Sequence, residues 1–443
     1  MKTRLLKRID SLMNIWGLPL FLITVFIFSF PSINLPLQLR THLVAKLLTA
    51  GLFFYSLLKT RFSKGEGLIK EPLVWLMLIY FFTRAPSIIN AVDLLAHLSG
   101  YQRFVVGWSG FFIAFFFGSS PKTTRWFLII FFITSILHTM IDWWLYIDPY
   151  SLLPILKNIV YAPFFYAISA NIDRGRVFFN LYSELVLPIT IYLLLKQREI
   201  KIRSLLKIAS LLFFDVALFI IAFLSGWRIR VIDFLFSNTL SFIILTKYLR
   251  TKIHLFVFTL CLVLIVPFMI YIVNQTNSSS LLDRFKTSVR IDKGAIRPIL
   301  WDKAWQLGLA YPLTGVGFDN FIYYFTDRTN QLYSLTLFYQ KKVLTTLVFQ
   351  SPHNILFTNL AESGWLALLS FTAILIYCVI FDVKALYRFG NNHRLRLILI
   401  IQFWTLLLYG LFHPTDSTEY YFLLFVLRGL IAAPIPPYDK NKT

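Results

Sequence analysis

The chain has 443 residues, of which 57% are hydrophobic, 18% aromatic and only 14% charged, with a formal net charge of +22 and a mean hydropathy of +0.68. That balance excludes a string of soluble domains, which carry about 25% charged residues. It also excludes nucleic acid as a partner, because the basic residues are scattered through short loops between apolar runs instead of forming a soluble basic domain. Lipid offers no partner to backbone N–H and C=O groups, so runs long enough to cross it must satisfy those groups internally as helices. The prediction is an all-α polytopic integral membrane protein.

In chain order, the basic segment Met1–Arg8 leads into Ile15–Ile33. This stretch exceeds a signal-peptide core and shows no small-residue cleavage site, so it reads as an uncleaved first span. Further spans fall near His42–Leu58, Pro72–Ile89, Phe104–Gly118, Trp126–Tyr146, Phe178–Leu195, Leu205–Leu224, Val231–Tyr248, Ile253–Val273, Asn354–Phe381, Leu395–Phe412 and Glu419–Ala433. The total is about twelve transmembrane helices. Cys261 and Cys378 both sit inside apolar runs and read as small packed hydrophobes. Alternate loops are basic, with Lys59, Arg61, Lys64 and Lys70 in one and Lys384, Arg388, Arg394 and Arg396 in another. The positive-inside bias then puts both termini on the cytoplasmic side and, in a bacterium, the remaining loops in the periplasm.

One of those outer loops, Asn274–His353, is about eighty residues long and far exceeds the usual connection. The layout is therefore an N-terminal transmembrane bundle over 1–273 with about nine helices, a large periplasmic catalytic loop over 274–353 containing short helices, and C-terminal transmembrane helices with a short cytoplasmic tail over 354–443. Within the loop, Pro298 fits the first turn of a helix. Arg297, Trp301 and Trp305 follow one another at i, i+4 and i+8, which predicts an amphipathic helix on the bilayer surface, ended by Gly308 and Pro312. Thr314-Gly315-Val316-Gly317 then reads as a tight turn.

The outer loops should be poor in Lys and Arg, and Arg174, Arg176, Arg228, Arg230, Arg284, Arg290, Arg297 and Arg328 break that rule. Arg228 and Arg230 stand in a very short turn, Ser225-Gly226-Trp227-Arg228-Ile229-Arg230, between apolar helices. A cation held there needs an anionic partner. The guanidinium fork suits a phosphate, although snorkelling to headgroups or pairing with Asp215 or Asp233 would also account for it. His353 lies at the mouth of the span that begins at Asn354, where a nearby arginine would favour a neutral ring able to accept a proton. Glu362, two turns inside that span, is either paired with an arginine or protonated. His413 is a further candidate for the same vestibule. The other histidines show no metal-ligand spacing, so no protein-bound metal is predicted.

Taken together, Arg297, Trp301, Ala304, Pro312, Gly315-Val316-Gly317, Asn320-Phe321, His353-Asn354, Glu362 and Gly364 resemble the signature of the O-antigen ligase and O-antigen polymerase superfamily over about seventy residues. Leu224-Ser225-Gly226-Trp227-Arg228 is similar to the family's short outer turn ending in an essential arginine. Trp227 stands where Ser or Thr is common, which leaves the role open between Arg228 and Arg230. Arg174-Gly175-Arg176 loosely resembles an earlier element. Phe318-Asp319 replaces the Gly-Pro usual after the glycine turn.

The resemblance implies a GT-C-like glycosyltransferase of the bacterial inner membrane with a periplasmic active site. It would move a preassembled glycan from an undecaprenyl-diphosphate carrier to a sugar hydroxyl of lipid A-core, with membrane lipids as its surroundings and no cofactor. Catalytic roles fall to His353 as general base and to Arg297 and Arg228 as a clamp on the diphosphate. Arg230, Arg174, Arg176, Trp301, Gly315, Gly317, Asn354 and Glu362 are expected to bind substrate. A polymerase extending carrier-linked repeat units is the nearest alternative. A lipid or solute transporter, in which the arginines bind a travelling anion, is the alternative from another class.

Overall fold

A computed structural model describes residues 2–29, 41–62, 71–147, 183–195, 207, 210–211, 213–220, 228–249, 296–325, 351–388, 394–413 and 417–434. Among the described residues every regular element is helical. In chain order they are α1 (Lys2–Ser29), α2 (Thr41–Phe62), α3 (Pro72–Arg84), α4 (Leu94–Phe117), α5 (Pro121–Ile147), α6 (Leu187–Leu195), α7 (Arg228–Leu249), α8 (Ile296–Ala310), α9 (Phe321–Phe325), α10 (Ile355–Arg388), α11 (Arg394–Gly410) and α12 (Thr418–Ala432). A 3₁₀ turn, Ala85–Asn90, continues α3, and another, Ser183–Val186, leads into α6. Among the described residues three stretches, Pro72–Asn90, Pro121–Ile141 and Ile355–Tyr387, are long and apolar enough to cross a membrane. The predicted span Ile253–Val273 lies outside the described residues, and of Leu205–Leu224 only part is described.

The helix starts follow from local chemistry. Pro72 supplies the preset φ of a first turn in α3. Asp93 caps α4 by accepting from the Ala96 N–H at 2.9 Å, and Ser417 caps α12 by accepting from the Tyr420 N–H at 3.1 Å. Asn354 caps α10, its Oδ1 accepting from the Leu356 and Phe357 N–H groups at 2.8 and 3.2 Å.

The core is centred on α12, where all but one of the residues are buried. A helix apolar on every side belongs inside a bundle. It packs most extensively on α4, and small residues allow the approach: a Cβ on Gly107 would strike Tyr421, and one on Gly429 would strike the Phe111 carbonyl. Helix α10 lies against α3, α7 against α6 and α11, and α8 against α10.

Residues 296–325 of the large loop pack onto the helices through a small core of Leu300, Ala304, Leu307, Val316, Phe321 and Ala361. Gly308 does not end α8. It sits inside the helix, where a Cβ would run into Leu360 of α10, so its role is close packing and the helix runs on to Ala310.

Candidate functional site

Helix α10 is the frame of the site. It is broken at Gly364, whose φ of 81° and ψ of −175° are outside the helical region and open to glycine alone. The Trp365 N–H bonds to the Pro312 carbonyl at 2.7 Å in place of its helical partner four residues back, the Ala361 carbonyl. The Ala361 and Glu362 carbonyls accept instead from the Val316 and Gly317 N–H groups at 2.9 and 3.0 Å. The glycine turn and the broken helix thus exchange backbone hydrogen bonds. Gly315, at φ 62°, lies so close that a Cβ would overlap the Glu362 and Ser363 backbone.

The remaining N–H groups of this turn are also engaged. Gly315 donates to the Tyr311 carbonyl at 2.9 Å and Asn320 to the Gly317 carbonyl at 3.2 Å. Phe318 donates to His97 Nδ1 at 3.1 Å, and Asp319 to Glu362 Oε1 at 3.2 Å. From Gly315 to Asn320 each N–H has an acceptor within the protein. Asp319, in the left-handed region at φ 56°, pairs with Arg103. Asn320 Oδ1 accepts from the Asp93 N–H at 2.7 Å, and Asn90 Nδ2 donates to the Gly315 carbonyl at 3.0 Å.

At the start of α10, Trp301 donates its indole N–H to the Pro352 carbonyl at 3.1 Å and stacks on Phe357 with ring centroids 5.5 Å apart. The next residue, His353, is half-buried and held at φ 54°, a left-handed geometry that histidine adopts more readily than most side chains. Asn354, besides capping α10, donates from Nδ2 to the Leu411 carbonyl at 2.9 Å. It therefore ties the His353 segment to the end of α11.

Just beyond that end, buried His413 stacks on Tyr409, with centroids 4.5 Å apart and planes 3° from parallel. Burial first, and then the charges of Arg297, His353 and Arg230, push its pKa well below the ordinary histidine value. Those three groups, drawn from α8, the approach to α10 and the first turn of α7, thus share one electrostatic neighbourhood with His413. Arg230 is completely buried and also acts on His138 of α5.

Of the sequence-predicted residues, Arg297, Arg230 and His353 each act electrostatically on His413, and Trp301 and Asn354 hold the backbone on either side of His353. Gly315 and Gly317 form the joint with α10. Glu362 is buried and lies 3.9 Å from Arg84 Nη2, an arginine beside it as the first of its two predicted alternatives has it. Arg228 opens α7, but its side chain, like Arg174 and Arg176, lies outside the described residues.

Residues 213–372 match the family model described as O-antigen ligase. The chain thus carries an O-antigen ligase family segment, which supports its resemblance to the ligase and polymerase superfamily. The matched segment contains Arg230, Arg297, His353, Glu362 and the glycine turn, whereas Arg84, His97 and His413 stand outside it. No curated protein matches the chain.

Two of those outlying residues escaped the sequence reading. Arg84 was hidden within an apolar run, where a fully buried cation is itself a signal. His97 carries no local pattern, since its partner Phe318 is 221 positions away.

Proposed function

We propose that the protein is an O-antigen ligase, transferring a preassembled glycan from an undecaprenyl-diphosphate carrier to a sugar hydroxyl of lipid A-core at the periplasmic face of the bacterial inner membrane. The observation that carries the reading is the shared neighbourhood of Arg230, Arg297, His353 and His413. Two guanidinium groups there suit a leaving group that develops negative charge, and fixed cations stabilise such charge without reorganising. A transferase working outside the cytoplasm has no nucleotide sugars to draw on, so an already activated lipid-linked donor fits.

In the proposed step the acceptor hydroxyl oxygen attacks the anomeric carbon and the bond from that carbon to the diphosphate oxygen breaks. The hydroxyl proton passes to the His353 imidazole, and the carrier diphosphate departs as an anion between Arg230 and Arg297. Direct displacement inverts the anomeric centre. Glu362, the carboxylate nearest in the signature, is engaged by Arg84 and by the Asp319 N–H, which argues against a covalent glycosyl intermediate on it. Arg228 is the alternative to Arg230 in the clamp, and Arg174 and Arg176 are further candidates for substrate binding.

The test is product formation by the purified protein in lipid nanodiscs supplied with carrier-linked glycan and lipid A-core. Glycan on lipid A-core is the expected product. A lengthened carrier-linked chain would make the protein a polymerase, and anion-coupled movement of the carrier lipid without any new glycosidic bond would make it a transporter.

A further inference from the structure

Glu362 is buried among apolar helices, and its Oε1 accepts from the Asp319 N–H. A buried carboxylate in that role needs a cation beside it. The nearby cation is Arg84, at the end of α3, itself wholly buried. Its guanidinium is fixed on both sides of the joint between the glycine turn and α10. On the helix side, Nε donates to Ser363 Oγ at 3.2 Å, and Nη1 donates to the Tyr80 hydroxyl at 3.1 Å, which donates in turn to Asn359 Oδ1 at 2.6 Å. On the turn side, the guanidinium carbon stands 4.0 Å from the centre of the Phe318 ring, with the Phe104 ring at 4.4 Å. Phe318 in turn gives its N–H to His97, so that imidazole nitrogen carries no proton.

We infer that Arg84 is a positioning residue: by clamping the glycine turn to the break in α10 it fixes α8, which bears Arg297, relative to the α10 N-terminus, which bears His353. The inference rests on the reading that these two side chains act on one substrate. The glycine turn is then a joint between two helices, with no N–H between Gly315 and Asn320 left to cradle a phosphate. Charge alone does not meet the requirement. Two N–H groups fixed in one plane and a flat face between two rings are properties of arginine that an ammonium lacks.

The test uses Arg84→Lys, which keeps the charge, and Ser363→Ala, which removes only the acceptor of the Nε bond. Spin labels at exposed Asp302 on α8 and exposed Val383 on α10, with Cys261 and Cys378 replaced by alanine, report the geometry by pulsed electron–electron double resonance without any substrate. Arg84→Lys is expected to broaden that distance distribution and to lower kcat by about 100-fold, while KM for the carrier-linked donor changes less than about threefold. Ser363→Ala is expected to fold normally and to shift both readouts in the same direction by a smaller amount, and it carries the test alone if the lysine variant does not fold. A distance distribution and kcat equal to wild type in the folded variants would overturn the inference. A wild-type protein that makes no glycosidic product would defeat the transfer reading instead, and the distance measurement would still judge the joint.

Discussion

Single side chains at this site are held by contacts that local sequence does not display. Arg230 is the sharpest case, because the motif leaves the essential turn arginine open between positions 228 and 230. Arg230 is fully buried and acts on both His413 and His138. Arg230→Ala is therefore expected to lower kcat by roughly 100-fold or more, the scale of losing one preorganised charge on a developing anion; steady-state kinetics on the purified variant would check this. His413 supplies a pH prediction. Its pKa is lowered in the folded protein, so the folded state binds fewer protons than the unfolded chain, whose histidines titrate near about 6.5. Its contribution to stability is intact above that pH and is lost as pH falls below it, with a slope approaching about 1.4 kcal/mol per pH unit. Thermal unfolding at pH 7.5 and 5.5 should show the loss, and His413→Asn should flatten it.

At the scale of elements, two joints set the architecture. The first is the hydrogen-bond exchange at Gly315 and Gly364. A methyl group at either glycine would meet backbone at a positive φ, so Gly315→Ala should destabilise the protein by more than about 1 kcal/mol, visible as a lower unfolding temperature in detergent. The second joins α10, α11 and α12. Arg428 bonds Asp382 at 2.7 Å in full burial, and Trp404 Nε1 donates to the same carboxylate at 2.9 Å. Removing one charge strands the other, so Arg428→Met should cost about 3–5 kcal/mol, whereas the double variant Arg428→Met with Asp382→Asn should recover much of it. Equilibrium unfolding of the three proteins would measure the difference. Here the sequence was partly legible. Apolar runs and caps marked the helices, and the order Gly-Val-Gly, His-Asn, Glu and Gly marked the signature. What escaped was function in pairs far apart along the chain. Gly308 looked like a helix terminator and is a packing notch. Trp301 stacks on Phe357 and supports the backbone before His353, contacts that no local pattern announces.

For the molecule as a whole, the helical scaffold is organised around the almost completely buried α12, and residues 296–325 pack onto that scaffold so that Arg297 and His353 both act on His413. Composition made the helical membrane character plain, because nothing else accommodates so many long apolar runs. The meeting point was inaccessible to it, since α7, α8, α10 and the end of α11 are brought together only by packing. The proposal that this meeting point is a glycosyl-transfer centre is tested most directly by single-turnover reaction of donor-loaded wild type and His353→Ala with lipid A-core. The wild type should transfer its glycan and release carrier diphosphate, while His353→Ala should bind donor as tightly and transfer at least about 100-fold more slowly. Transfer at the wild-type rate by the alanine variant would contradict the account.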